Sequence, residues 1–276
     1  MNKNKERWEV SYPDGLIKVI DMFRVKYFQY PVFDSVIDKY IKKFSLTKGK
    51  RICSLGSGTG HHEVELARLG YEVIGLERNK ESVEISRHYI DLCGVNVTVY
   101  ECDFLKKEEL DDVMEKVGEV DVCLLLLIPI SIKDYSLAAQ NMSKWICSGG
   151  LFIADNFDYS ESYHLKKSNF ESNIEVVQSP NDKENYAVRF NYYEYGSRII
   201  KWDAVYLYEE NGKVCMKHDQ DILDVIPEDE SDSCLDLDEE EFGILPNHKI
   251  EECEEGLAPP YLYEYIIGRR KNGSSF

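Results

Sequence analysis

Three glycines at alternate positions, Gly56, Gly58 and Gly60, stand between a short apolar run and an amphipathic stretch that opens at His61. Glycine at this density weakens regular structure, and it is tolerated where backbone turns sharply or comes close to a ligand. Lys50–Ser54 reads as a strand and His61–Leu69 as a helix ended by Gly70. A strand, a glycine turn and a helix N-terminus form a corner suited to an anion or a nucleotide, because the first-turn N–H groups have no partner within the helix. The spacing is G-x-G-x-G. A dinucleotide fingerprint would need glycine at His61, and no lysine followed by Ser or Thr makes this a phosphate-gripping loop.

The rest of the chain sets this corner in a repeating frame. Apolar periodicity predicts helix over residues 15–45, divided at Pro31. Strands are expected at Tyr71–Leu76, Asn96–Glu101, Asp121–Ile128 and Leu151–Asp155, and helices at Lys80–Leu92, Lys106–Lys116 and Ser136–Ile146. Five alternations of strand and helix are the signature of a doubly wound, mostly parallel α/β sheet of Rossmann-like type. After Asn156 the pattern changes. Glu175–Ser179, Ala187–Tyr195, Ile199–Tyr208 and Val214–Asp219 read as strands of an antiparallel β insertion, with Asn211-Gly212 as a hairpin turn. A short helix near Glu239–Leu245 and final strands at His248–Glu252 and Tyr261–Arg269 complete the reading. The expected organisation is a helical cap over 1–49, a main α/β domain from 50–169 and 226–276, and an insertion over 170–225.

Composition removes several function classes. The net charge of −18 opposes a phosphate-binding surface, so no nucleic acid partner is expected. No apolar run approaches the roughly 18 residues of a membrane span, so no membrane partner is expected either. The opening MNKNKERWEV lacks the apolar core of a secretory signal. Eight cysteines without a CxxC pair read as buried thiols of a reducing cytoplasm, which makes the expected localisation cytoplasmic. The acidic run Pro227–Glu241 reads as solvated surface, and a homodimer is left open.

Glu77 ends the second strand, where a carboxylate can accept from both hydroxyls of a ribose. Cys102-Asp103-Phe104 ends the third, where a carboxylate can accept from an adenine amino group beside a packing side chain. With LGSGTG (Leu55–Gly60), VIGLE (Val73–Glu77), CDF, DVCLLLLI (Asp121–Ile128) and SGGLFIADN (Ser148–Asn156), the chain resembles the class I S-adenosylmethionine-dependent methyltransferases across Lys50–Phe157. The resemblance implies a seven-stranded sheet closed by a reversed hairpin, with S-adenosylmethionine as cofactor. It places Gly56, Gly58 and Gly60 along the methionine and ribose portion, Glu77 at the ribose, and Asp103 and Phe104 at the adenine, with Ser54, Ser57 and Arg78 also among the cofactor-binding residues. Leu125 and Leu126 would line the pocket. Many members of this family carry an acidic residue two positions before the first glycine, which helps place the cofactor's ammonium. Here that position is Ser54, which leaves the ammonium to backbone carbonyls and the Leu125–Ile128 strand end.

His61 and His62 read as first-turn helix residues, with a ligand contact as the alternative. Asp155-Asn156 is similar to the magnesium-binding pair of catechol-type members, but the place of their further carboxylate reads IPIS (Ile128–Ser131), so no metal is expected. The β-rich insert and NFDY are loosely similar to glycine N-methyltransferase. Tyr193, Tyr195 and Tyr206 of the insert, with Tyr27, Tyr30 and Asn156, are the substrate candidates. Asp158, Tyr159 and His164 are the candidates for a catalytic base. The expected function is methyl transfer to N or O of a small molecule. The alternative is a cofactor-binding sensor or partner protein that transfers no methyl group, and a nicotinamide oxidoreductase ranks below both.

Overall fold

Apolar strands of five or six residues, each followed by an amphipathic helix, build the larger part of the protein. The computed structural model describes residues 19–20, 22–23, 30–45, 50–126, 128, 132–157, 170–178, 186–196, 199–224, 242–244, 248–249 and 263–271. The chain divides into two units, one of residues 30–157 and 233–276, the other of residues 1–29 and 158–232. Helix α1 (Tyr30–Phe44) belongs to the first unit, with Pro31 in its first turn, where the missing N–H costs nothing.

In the first unit, α1 is followed by β1 (Arg51–Leu55), α2 (His61–Arg68), β2 (Glu72–Glu77), α3 (Lys80–Cys93), β3 (Val97–Glu101), α4 (Lys107–Val117), β4 (Val120–Leu125), α5 (Ile132–Met142) and β5 (Ile146–Phe157). The second unit holds β6 (Phe170–Gln178), β7 (Tyr186–Tyr195), β8 (Ile199–Glu210) and β9 (Lys213–Asp224). The first unit resumes with β10 (Phe242–Ile244), β11 (His248–Lys249) and β12 (Tyr263–Arg270). Its sheet runs β10-β12-β5-β4-β1-β2-β3, with β11 paired to β12 off that path. The strands β1 to β5 pair parallel, whereas β12 enters antiparallel to β5. Strand order reverses beside β1, and ligands of open α/β sheets bind outside the carboxyl ends of the strands at such a point.

Alternation along the buried strands gives each face its own core. Cys53, Leu55, Leu76, Leu125 and Phe152 pack with Leu110, Met114 and Met142 from α4 and α5. Ile52, Val73, Leu124, Leu126 and Ile153 pack with Ile37 and Ile41 of α1 and Leu66 of α2. Polar ties fix the ends. Asp121 Oδ2 accepts from the backbone N–H groups of Lys50 and Arg51, both at 2.9 Å. Arg269 donates to the Phe44 carbonyl at 3.1 and 2.8 Å, joining β12 to the end of α1.

The short helix expected near 239–245 is corrected at its described residues. Phe242–Ile244 is an edge strand, paired antiparallel to β12 from Phe242↔Arg270 to Ile244↔Gly268. Phe242 is buried against Phe152, its ring 6.3 Å away. Pairing and that tertiary contact override local helical preference. Within the strand expected at His248–Glu252, the described residues His248–Lys249 form β11, paired antiparallel to β12 from His248↔Tyr265 to Lys249↔Glu264.

In the second unit, β6 to β9 form an antiparallel sheet in chain order. Asn211 and Gly212 take positive φ of 53° and 74°, as a two-residue hairpin turn requires. One face of this sheet buries Ala187, Ala204, Tyr206 and Tyr208 against Val19 and Phe23.

Candidate active site

The loop between β1 and α2 is shaped by its backbone. Gly56, Gly58 and Gly60 have φ of 65°, 53° and 85°, the left-handed region that strains any residue with a Cβ. At Gly56 space is lacking too, because a Cβ there would run into the Ile128 side chain and reach Phe104. Beneath the loop, Gly75 of β2 makes room for the Ser57 side chain, whose Oγ would lie 2.8 Å from a Cβ at that position. Ser57 N–H donates to the Leu76 carbonyl at 3.0 Å, and Gly60 N–H donates to the Ser57 carbonyl at 3.0 Å.

Glu77 stands at the end of β2 and joins two loops. Its Oε2 accepts from Gly58 N–H at 2.9 Å, and its Oε1 accepts from Asn79 N–H at 2.7 Å. Each carboxylate oxygen keeps further acceptor capacity, so Glu77 can position the glycine loop and still take a donor from a ligand. Asp103 opens a turn: its Oδ1 accepts from Leu105 N–H at 3.2 Å. Phe104 is buried in the α4–α5 core. Arg78 is exposed.

The two leucines at the end of β4 point to opposite faces. Leu125 enters the α4–α5 core and Leu126 the α1–α2 core. The strand's two-residue period separates the two side chains, so each meets a different helical layer.

On the α1–α2 face the structure assembles a cluster that the sequence reading did not find. Asp34 of α1 is fully buried and lies 2.7 Å from His62 Nδ1 of α2. Burial raises the Asp34 carboxyl above its ordinary range against the opposing pull of His62. Glu63, next in α2, is 1% exposed. Burial drives its carboxyl up to about 7, while His62 and the facing Ser54 hydroxyl pull it down. Neither Glu63 oxygen completes a hydrogen bond of normal geometry within the protein, nor does Asp34 Oδ2. His61 packs on Tyr89 of α3, the ring centroids 5.0 Å apart. A signal for both acids was present in the pattern. Asp34 precedes Ile37 and Ile41 by three and seven residues, and Glu63 precedes Leu66 by three, so each carboxylate sits on an apolar helical stripe.

Tyr193, Tyr195 and Tyr206 share one face of the second unit's sheet. The Tyr193 ring stacks on Tyr195 at 6.3 Å and on Trp202 at 6.5 Å, and the Tyr195 hydroxyl donates to Glu171 at 3.0 Å. Tyr206 is instead a core residue, fully buried with its ring edge-on to Phe23. Arg189 pairs with Glu175 between these rings, its guanidinium 4.6 Å from the Phe23 ring and 5.6 Å from Trp202. Tyr27, Asp158, Tyr159 and His164 lie outside the described residues, as do the side chains of Tyr30 and Asn156. Among the described residues no group of three or more His, Cys, Asp or Glu side chains could hold a metal ion. The described cysteines are free thiols, and Cys53, Cys102 and Cys123 are buried. No described helix is long and apolar enough to cross a membrane.

A glycine loop at the strand-order reversal, closed by a carboxylate from the next strand, is a geometry suited to a nucleoside ligand. The profile of a family described as a methyltransferase domain matches residues 46–212. The chain belongs to this family, and its sheet is that of the class I methyltransferases. No curated protein matches the sequence significantly. Solved structures share the fold at low identity. An S-adenosylmethionine-dependent methyltransferase of Clostridium acetobutylicum aligns with a TM-score of 0.67 at 12% identity, over 92% of this chain and 97% of its own. A sugar N-methyltransferase of Streptoalloteichus gives 0.66 at 13% identity, over 95% and 97%. An amino pentose methyltransferase of Micromonospora echinaspora, solved with S-adenosylmethionine bound, gives 0.64 at 13% identity, over 95% and 100%.

Proposed function

We propose that the protein transfers a methyl group to a nitrogen or oxygen of a small molecule. The methyl donor is S-adenosylmethionine, which supplies a methyl group on a sulfonium already activated for displacement. The observation that carries this reading is Glu77, held by the Gly58 and Asn79 N–H groups at the end of β2. That arrangement leaves a carboxylate with spare lone pairs at the strand end, which suits the hydroxyls of a ribose.

The unmatched polar groups of the corner fit the same ligand. Ser57 Oγ and both Glu63 oxygens are buried and complete no hydrogen bond of normal geometry within the protein, and they suit a molecule that brings O–H and N–H donors. In this reading Glu77 accepts from the ribose hydroxyls, Asp103 accepts from the adenine amino group, and Phe104 with Ile128 supplies apolar contact beside Gly56. The glycine loop lets the ligand approach the backbone. A neutral amine acceptor needs only alignment with the S–CH3 bond and loses its proton on methylation, whereas a hydroxyl needs a base within hydrogen-bond reach. Asp158, Tyr159 and His164 remain the candidates for that base. Tyr193 and Tyr195 remain the candidates for an aromatic wall against the acceptor, which an acceptor carrying positive charge would favour.

Methyl-labelled S-adenosylmethionine, incubated with the protein and pooled small metabolites, tests the reading. The expected result is label in an N- or O-methylated product together with demethylated cofactor. Tight cofactor binding with no label transferred to any pool would replace the enzyme by a sensor.

A further inference from the structure

A carboxylate shut away from water needs a partner or a proton. Glu63 has no partner of normal geometry within the protein, although it is buried and follows the glycine loop by only three residues. It lies in the first turn of α2, and Ser54 at the end of β1 faces it. The other titratable groups around it are His62 on its own helix, Asp34 on α1 and Cys53 on β1. His62 is already engaged by Asp34 at 2.7 Å, and Glu65 adds further negative charge near Asp34. Even with His62 protonated, two buried carboxylates share one positive charge. The corner is one cation short, on the α1–α2 face and beside the loop that receives the cofactor.

We propose that Glu63 is the counter-ion of the cofactor's α-ammonium group, supplied from α2 where β1 carries Ser54. The inference rests on the reading of this corner as the S-adenosylmethionine site. It replaces the expectation that backbone carbonyls and the end of β4 alone receive the ammonium. One consequence is linkage to protons. With the Asp34-engaged His62 opposing its burial, the carboxyl group stands at about 7, and an arriving ammonium favours its ionised form. Binding near neutral pH therefore releases a proton from Glu63.

Calorimetric titration of the full chain with three ligands tests this. S-adenosylmethionine carries ammonium and sulfonium, S-adenosylhomocysteine the ammonium alone, and methylthioadenosine neither. Glu63→Gln is expected to weaken the first two by about 10- to 100-fold, the size of one hydrogen-bonded charge pair. Methylthioadenosine should change by less than about two-fold. Titrations at about pH 6.5 in buffers of different ionisation enthalpy should show proton release by the wild type that Glu63→Gln abolishes. The double variant Ser54→Asp with Glu63→Leu returns a carboxylate to β1 and should recover most of the lost affinity, which keeps the test decisive if Glu63→Gln folds poorly. Equal weakening of all three ligands, loss confined to S-adenosylmethionine, unchanged affinity in Glu63→Gln, or no recovery in the double variant would each overturn the ammonium role. A wild-type chain that binds none of the three overturns the cofactor reading itself, whereas normal wild-type binding with an indifferent Glu63→Gln overturns this inference alone.

Discussion

Replacing Glu63 by glutamine should change how the protein's stability responds to pH, with no ligand present. The side chain is 1% exposed, and burial holds its carboxyl at about 7 in the fold against an ordinary 4.5. A carboxyl whose folded value is raised favours the fold fully below its unfolded value. That contribution is lost as pH rises towards the folded value, because the unfolded chain has already released its proton. Every pH unit between the folded and unfolded values is worth about 1.4 kcal/mol, so the interval from 4.5 to about 7 carries about 3 kcal/mol. A sequence pI near 4.8 makes the acid end prone to precipitation. Between about pH 5.5 and 8.5 the accessible part is about 2 kcal/mol. Glutamine keeps the shape and does not titrate there. Urea unfolding across that range should show the wild type losing about 2 kcal/mol relative to Glu63→Gln. Asp34 titrates in both proteins and largely cancels in the difference. A difference that stays constant within about 0.5 kcal/mol would refute the placement of Glu63 as a buried carboxyl held well above its ordinary range.

Glu77→Ala should weaken S-adenosylmethionine binding by about 1–3 kcal/mol in calorimetry, through lost ribose contacts and a loosened Gly58 N–H; unchanged affinity in a folded variant would remove Glu77 from that role. Gly56→Ala should abolish cofactor binding while far-ultraviolet circular dichroism stays near wild type, since φ of 65° and the Ile128 side chain both oppose a Cβ. Tyr193→Ala or Tyr195→Ala should alter acceptor turnover in a labelled-methyl assay while cofactor affinity stays within about three-fold, and normal turnover in both would make the stacked rings packing only. Chelator treatment should leave turnover unchanged; a rate that returns only with added magnesium would point to Asp155 and Asn156.

The parts of the site that lie in backbone geometry could be read directly. Alternate glycines declare positive φ, and a carboxylate closing the next strand declares its position by strand period alone. The role of Glu77 in tying Gly58 and Asn79 could not be read, because it depends on how two loops approach each other. Asp34 and Glu63 escaped for another reason. Short charged side chains in amphipathic helices usually face water, and only the stripe positions beside Ile37 and Leu66 separate these two from Glu65 or Asp38. Phe242–Ile244 escaped because an edge strand of three residues is specified by its partner β12 rather than by its own composition. Tyr206 looked like its neighbours Tyr193 and Tyr195 by strand alternation, and only the packing of Phe23 distinguishes it.

The register between β5 and β12 has an evolutionary consequence. Tyr263 lies directly opposite Phe157, so β5 ends and β12 begins at one doorway a single strand-pair wide, with β10 and β11 along the other edge of β12. Apart from edge strands β10 and β11, what lies between can lengthen, shorten or be exchanged without moving either doorpost. The entropy of closing such an excursion grows only with the logarithm of its length, about 0.6 kcal/mol per doubling. Natural drift or a deliberate graft can therefore rewrite residues 158–232 while Gly58 and Glu77 keep their grip on each other.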